Sequence, residues 1–266
     1  NIKNKTALIT GGTVGLGLIY AKRLLENGAK CVALLDLSSS PGQQTVNNLE
    51  KEFGKGKAIF YACDVSNINE FEVAVFKKVV NDLNGLDIVI NNAGIYNDKK
   101  WEQTMCINVT SVIRATLLGI QQMQKDLGGK GGAIVNISSL AGLYAAPQLP
   151  VYSATKHAVV SFSRSFAQPY HYKRTGVKIL VMCPELSQII DVKNLENIPH
   201  DDDIDKEIGE RIEVFPFISP YVVAQGLMSI LRVAESGSIW VIENGRTPYE
   251  VYVPNPRSLR RTYKNN

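Results

Sequence analysis

Tyr152 stands four residues before Lys156, a spacing that on a helix puts a phenol and an ammonium on one face, a turn apart. A free phenol titrates at about 10 and is a poor base at neutral pH; a nearby cation stabilises the phenolate and draws it toward the working range. The pair is therefore suited to passing a proton to or from a hydroxyl or carbonyl oxygen. The spacing alone is common, and its company gives it weight. Ser139 ends an apolar run thirteen residues before Tyr152, Asn91-Asn92-Ala93-Gly94 ends an earlier one, and Asn108 lies on a helical segment between them.

A second group of residues suits an anion. Thr10-Gly11-Gly12-Thr13-Val14-Gly15-Leu16-Gly17 joins an apolar run to a helical pattern. Glycines there let a backbone approach a pyrophosphate, and a new helix offers unpaired N–H groups and the positive end of its dipole. The next apolar run ends in Asp36, placed to take the two hydroxyls of an adenosine ribose and to repel a 2′-phosphate. Neither Thr13 nor Leu37 is basic, so NAD is expected rather than NADP.

These residues need elements to position them. Apolar runs at 6–10, 31–35, 58–62, 86–90, 133–137, 177–182 and 238–242 alternate with helix-length segments. Such continuous runs fit a parallel sheet covered on both faces by helices. The expected fold is α/β, a single doubly wound (Rossmann-type) domain spanning 1–266, with a seven-stranded parallel sheet flanked by helices. After the sixth run, the stretch 191–213 carries nine acids against three bases, with Ile204, Ile208 and Ile212 at helical spacing. It is expected to belong to a substrate lid over about 186–217. From 246 to 266, Pro248, Pro254 and Pro256 predict an extended tail.

With 45% hydrophobic and 20% charged residues, the composition excludes disordered and collagen-like chains. The net charge of +4 belongs to Arg257, Arg260, Arg261 and Lys264, and a charged tail end is a weak basis for nucleic-acid binding, which is not expected. No apolar run is long enough for a membrane span. Cys31, Cys63, Cys106 and Cys183 are scattered and sit in apolar surroundings, so four buried free thiols, no metal site and a reducing, cytoplasmic setting are expected. The chain opens on Asn1 rather than Met, which fits trimming or processing.

The glycine turn, Asn91-Asn92-Ala93-Gly94, Asn108, Ser139 and Tyr152-x-x-x-Lys156, in this order, resemble the short-chain dehydrogenase/reductase family over residues 3 to 245. The stretches from Asn91 to Glu102 and from Val135 to Leu143 look most like the branch containing hydroxyprostaglandin dehydrogenase and the insect alcohol dehydrogenases. The resemblance implies that Tyr152 is the general acid/base, that Lys156 lowers its pKa and holds a ribose, that Ser139 orients the substrate oxygen, and that Asn108 holds a water in a proton path. It also implies cofactor contacts at Gly11, Thr13, Gly15, Leu16, Gly17, Asp36, Asp64, Val65, Asn92, Ala93, Gly94 and Pro184. The implied activity is hydride transfer between NAD and a secondary or primary alcohol on an apolar skeleton, in the direction of oxidation, by a homodimer. Tyr144, Leu149, Leu186, Ile189, Ile190, Phe215 and Phe217 are the candidate pocket residues for that skeleton or its ketone.

Two departures stand against the family pattern. After Pro184 the family shows Gly and, four residues on, Thr; this chain has Glu185 and Ile189. Glu185 adds a negative charge beside a cationic ring, and a lost hydrogen bond costs on the order of 1 to 3 kcal/mol, roughly tenfold to a hundredfold in affinity. Pro169 should end or kink the helix bearing Tyr152 near Gln168. These departures sustain an alternative, a catalytically weak or inactive family member acting as a cofactor-binding or structural protein. The intact Asn108, Ser139, Tyr152 and Lys156 favour the enzyme.

Overall fold

The computed structural model describes residues 2–71, 76–147, 149–187, 217–254 and 256–260. Strands and helices alternate: β1 (Thr6–Thr10), α1 (Gly15–Glu26), β2 (Cys31–Asp36), α2 (Gly42–Phe53), β3 (Ala58–Ala62), α3 (Lys77–Leu83) and β4 (Ile88–Asn91). Then come α4 (Trp101–Met105), a π-helical turn (Cys106–Thr110), α5 (Ser111–Met123), β5 (Gly132–Ile137), α6 (Pro150–Phe166), α7 (Pro169–Thr175) and β6 (Val177–Pro184). The chain closes with α8 (Pro220–Val233), β7 (Ile239–Ile242) and β8 (Tyr249–Val251).

The strands form one sheet in the order β3-β2-β1-β4-β5-β6-β7-β8. Seven are parallel, and β8 runs antiparallel to β7 with Val251 opposite Ile239. The sheet thus has one strand more than the seven expected. Prolines are excluded from central strands but tolerated beside an edge strand, and Pro248 and Pro254 leave a three-residue edge between them.

Period-2 alternation sends neighbouring strand residues to opposite faces. Ile9, Leu34 and Ile90 pack with Tyr20 and Leu24 of α1 and Val223 and Leu227 of α8. Leu8, Leu35 and Val89 pack on the other face with Val79 of α3 and Ile120 and Met123 of α5. The α6 helix ends at Phe166, and Pro169 occupies the first turn of α7, where its missing N–H costs nothing. This is the break expected near Gln168.

The free thiols of Cys31, Cys63 and Cys183 are buried, whereas Cys106 is partly exposed. No helix among the described residues is long and apolar enough to cross a membrane. The lid expected at 186–217 and the acidic stretch within it fall almost wholly outside the described residues, as do Ile189, Ile190, Phe215 and the last six residues.

Candidate active site

The glycine turn is built by close approach. Gly11 and Gly15 have φ of +61° and +57°, a region that side chains disfavour. A Cβ on Gly17 would collide with the Gly11 carbonyl, so α1 begins hard against the end of β1. Asn92 completes the turn from β4: its backbone N–H donates to Thr10 Oγ1, and its Nδ2 donates to the Thr10 and Gly11 carbonyls, each at 3.0 Å. Ala93 N–H also donates to Thr10 Oγ1, at 3.0 Å.

Thr13 plays a different part from the one expected. It is fully buried behind the turn, and its N–H and hydroxyl donate to Asp36 Oδ2 at 3.1 and 2.6 Å. Leu37 N–H donates to the other oxygen at 2.9 Å. Thr45 in turn donates its hydroxyl to the Thr13 carbonyl at 3.0 Å. Thr13 therefore orients the acid that faces the cleft.

On the same edge of the sheet, α6 brings Tyr152 and Lys156 to the ends of β5 and β6. Lys156 is buried, and its Nζ donates to the Ile137 carbonyl at 3.0 Å. Ser138 Oγ donates to the Lys156 carbonyl at 2.9 Å, tying helix to strand end. Burial pushes the Lys156 ammonium down to about 8. Burial also pushes the Tyr152 phenol well above its ordinary value, the neighbouring Tyr96 phenol pushes the same way, and the Ser139 hydroxyl pulls back. Lys156 Nζ lies 5.5 Å from the centre of the Tyr152 ring. The downward pull expected from Lys156 is not among the influences on this phenol, of which desolvation is the largest.

Asn108 is fully buried within the π-helical turn, a distortion that often marks functional sites. Its Oδ1 accepts from Ile95 N–H and its Nδ2 donates to the Ile95 carbonyl, each at 2.9 Å. Nδ2 also meets Thr155 Oγ1 at 3.2 Å. The side chain thus ties the loop after β4 to α6. A Cβ on Gly94 would sit 3.4 Å from Asn108 Oδ1 and 3.7 Å from Lys156 Nζ, so the absence of a side chain keeps that corner open.

One cleft of about 350 Å³ brings most of the expected residues together. Gly11, Leu16, Asp36, Asp64, Val65, Asn92, Ala93, Gly94, Ser139, Tyr152, Lys156 and Pro184 border it. Gly15 and Gly17 shape the turn and Thr13 and Asn108 brace the wall, all four without bordering the cleft. Among the described candidate pocket residues, Leu186 borders it, while Tyr144, Leu149 and Phe217 do not. Glu185 reaches the cleft, but its Oε2 accepts from Asn244 N–H at 2.8 Å, just after β7. That partner engages the negative charge the sequence places beside a cationic ring.

Sequence reasoning passed over Tyr96. Its ring stacks on that of Tyr152, with centroids 4.2 Å apart and planes 24° from parallel, and it borders the cleft. The available signal was an aromatic residue two positions after Gly94, in the loop that must pass the site.

A strand-end glycine turn, an acid at the end of β2 and a Ser-Tyr-Lys group on one cleft agree with the match to the short chain dehydrogenase family model over residues 5–198, and the protein belongs to that family. The chain is similar to the mouse and human proteins named 15-hydroxyprostaglandin dehydrogenase [NAD(+)], 38% identical to each. Those alignments cover 87% of this chain, 87% of the mouse protein and 88% of the human one. It is also similar to alcohol dehydrogenase 1 of Ceratitis cosyra, 30% identical over 92% of this chain and 94% of that one.

Proposed function

We propose that the protein is an NAD-dependent oxidoreductase acting on a secondary or primary alcohol on an apolar skeleton, with Tyr152 as general acid/base. The observation that carries this reading is that one cleft runs from Asp36 to Ser139, Tyr152 and Lys156. Asp36, already oriented by Thr13, leaves its carboxylate to the ribose hydroxyls; the Gly11–Gly17 turn offers backbone to the diphosphate; Lys156 and Gly94 border the far end. These residues fit the cofactor, since the turn is stripped of side chains where backbone must be approached. When bound, NAD supplies the hydride acceptor and a positive ring.

The chain's own residues then handle the oxygen. The Ser139 and Tyr152 hydroxyls face one another and together hold a substrate hydroxyl. Tyr152 takes its proton, and the Lys156 ammonium on the same helix favours the resulting phenolate. The names of the relatives, a hydroxyprostaglandin dehydrogenase and an alcohol dehydrogenase, support an alcohol as the substrate class.

The test is a fluorescence titration with NADH and NADPH, then NAD with a panel of aliphatic, steroid, terpenoid and prostanoid alcohols. NADH should bind more tightly than NADPH. Tyr152→Phe should keep NADH affinity and lose turnover; retention of more than about a tenth of the rate contradicts the acid/base role.

A further inference from the structure

We infer that the segment Ile95 to Asp98, between β4 and α4, is a clamp that positions the Tyr152 hydroxyl, Asp98 holding its backbone and Tyr96 its ring. The inference rests on the proposed acid/base role of Tyr152. The first amides of a helix have no partner within the helix and are usually capped by the residue just before it. At α6 the preceding residue is Leu149, whose side chain caps nothing. Asp98 does the work instead, from more than fifty residues away in the chain. Its Oδ2 accepts from Val151 N–H at 2.8 Å and its Oδ1 from Tyr152 N–H at 3.0 Å. The carboxylate is buried, at 2% exposure, where charge-assisted hydrogen bonds are strong and the helix dipole favours an anion.

The same segment meets the other end of Tyr152. The Tyr96 ring lies on the Tyr152 ring, and its phenol faces the Tyr152 hydroxyl. The segment is itself anchored on both sides. Asn108 grips Ile95 N–H and C=O, while Asn97 accepts Lys100 N–H at 3.0 Å and, through its carbonyl, the Thr104 hydroxyl at 2.6 Å. Backbone and ring of one tyrosine are thus held by residues two apart on a braced loop. Ser139 from the end of β5, Lys156 from α6 and Cys183 from β6 complete its surroundings.

The experiment follows tyrosinate absorbance against pH in NAD-saturated protein. The step lost in Tyr152→Phe belongs to Tyr152, and if no step is lost there the acid/base reading itself has failed. If that step exists, Tyr96→Phe should move it down by removing the neighbouring phenol. With an alcohol that the wild type oxidises, Asp98→Ala should lower kcat by on the order of tenfold while KM stays within about threefold, because a misplaced phenol no longer meets the oxygen beside Ser139. Asp98→Asn should lower kcat less, since the amide oxygen still accepts one N–H. An unchanged kcat in Asp98→Ala overturns the clamp. An unmoved step in Tyr96→Phe does so as well. NADH affinity in all three variants should stay within about threefold of wild type; a parallel loss of binding would make Asp98 a support of the whole cleft and sink the inference. If Asp98→Ala does not fold, Asp98→Asn carries the same directions.

Discussion

Burial acts on Lys156 in the direction opposite to the charge its proposed role requires, with a folded value of about 8 against an ordinary 10.5. Between these values the unfolded chain holds the extra proton, so stability of the cofactor-free protein rises with pH across this window and the penalty is fully present below it. Lys156→Met should therefore stabilise the cofactor-free protein at neutral pH by on the order of 1 to 2 kcal/mol, offset in part by the unpaired Ile137 carbonyl, while ending turnover. Thermal unfolding at pH 7 checks it; a lower melting temperature would contradict it. Tyr20 poses the opposite case. Its hydroxyl is fully buried with no hydrogen-bond partner among the described residues. Tyr20→Phe should be neutral or stabilising by up to about 1 kcal/mol, and a loss of stability would reveal a bond the hydroxyl makes. The residues proposed to do the chemistry were legible because their types and spacing are constrained by it. Tyr96 and Asp98 were not, since their work depends on which loop passes which helix.

At the level of elements, the turn between β1 and α1 depends on one missing side chain. A methyl on Gly17 meets backbone, which cannot rotate aside, so Gly17→Ala must push α1 off the strand end. NADH affinity should fall by at least about tenfold, with a stability loss of roughly 1 to 3 kcal/mol from overpacking; unchanged affinity would mean that the turn tolerates the shift. The alternation of strand and helix, the glycine turn and the break at Pro169 could all be read from the sequence, because each has a local cause. The strand β8 could not, because three residues between prolines become a strand only when a neighbour offers an edge. Nor could the engagement of Glu185, whose partner is the backbone of Asn244 beyond β7. Charge alone made that residue look hostile to the cofactor; its hydrogen bond shows where the carboxylate is directed.

Across the whole molecule, the strand order was legible only as a class. Continuous apolar runs indicate a parallel doubly wound sheet, but the order β3-β2-β1-β4-β5-β6-β7-β8 is a property of crossover connections that no local pattern encodes. That order has a consequence for the chain during synthesis. β1 can pair with β2 early, yet its other edge stays bare until β4 emerges, Ala7 waiting for Ile88. The seam is then closed at one end by Lys5 and Asp87, 2.7 Å apart, and at the other by Asn92 on Thr10 and Gly11. A nascent chain released before β4 would carry the glycines of the turn after β1 without the asparagine that shapes them, and an apolar strand edge open to any other chain on the same polysome.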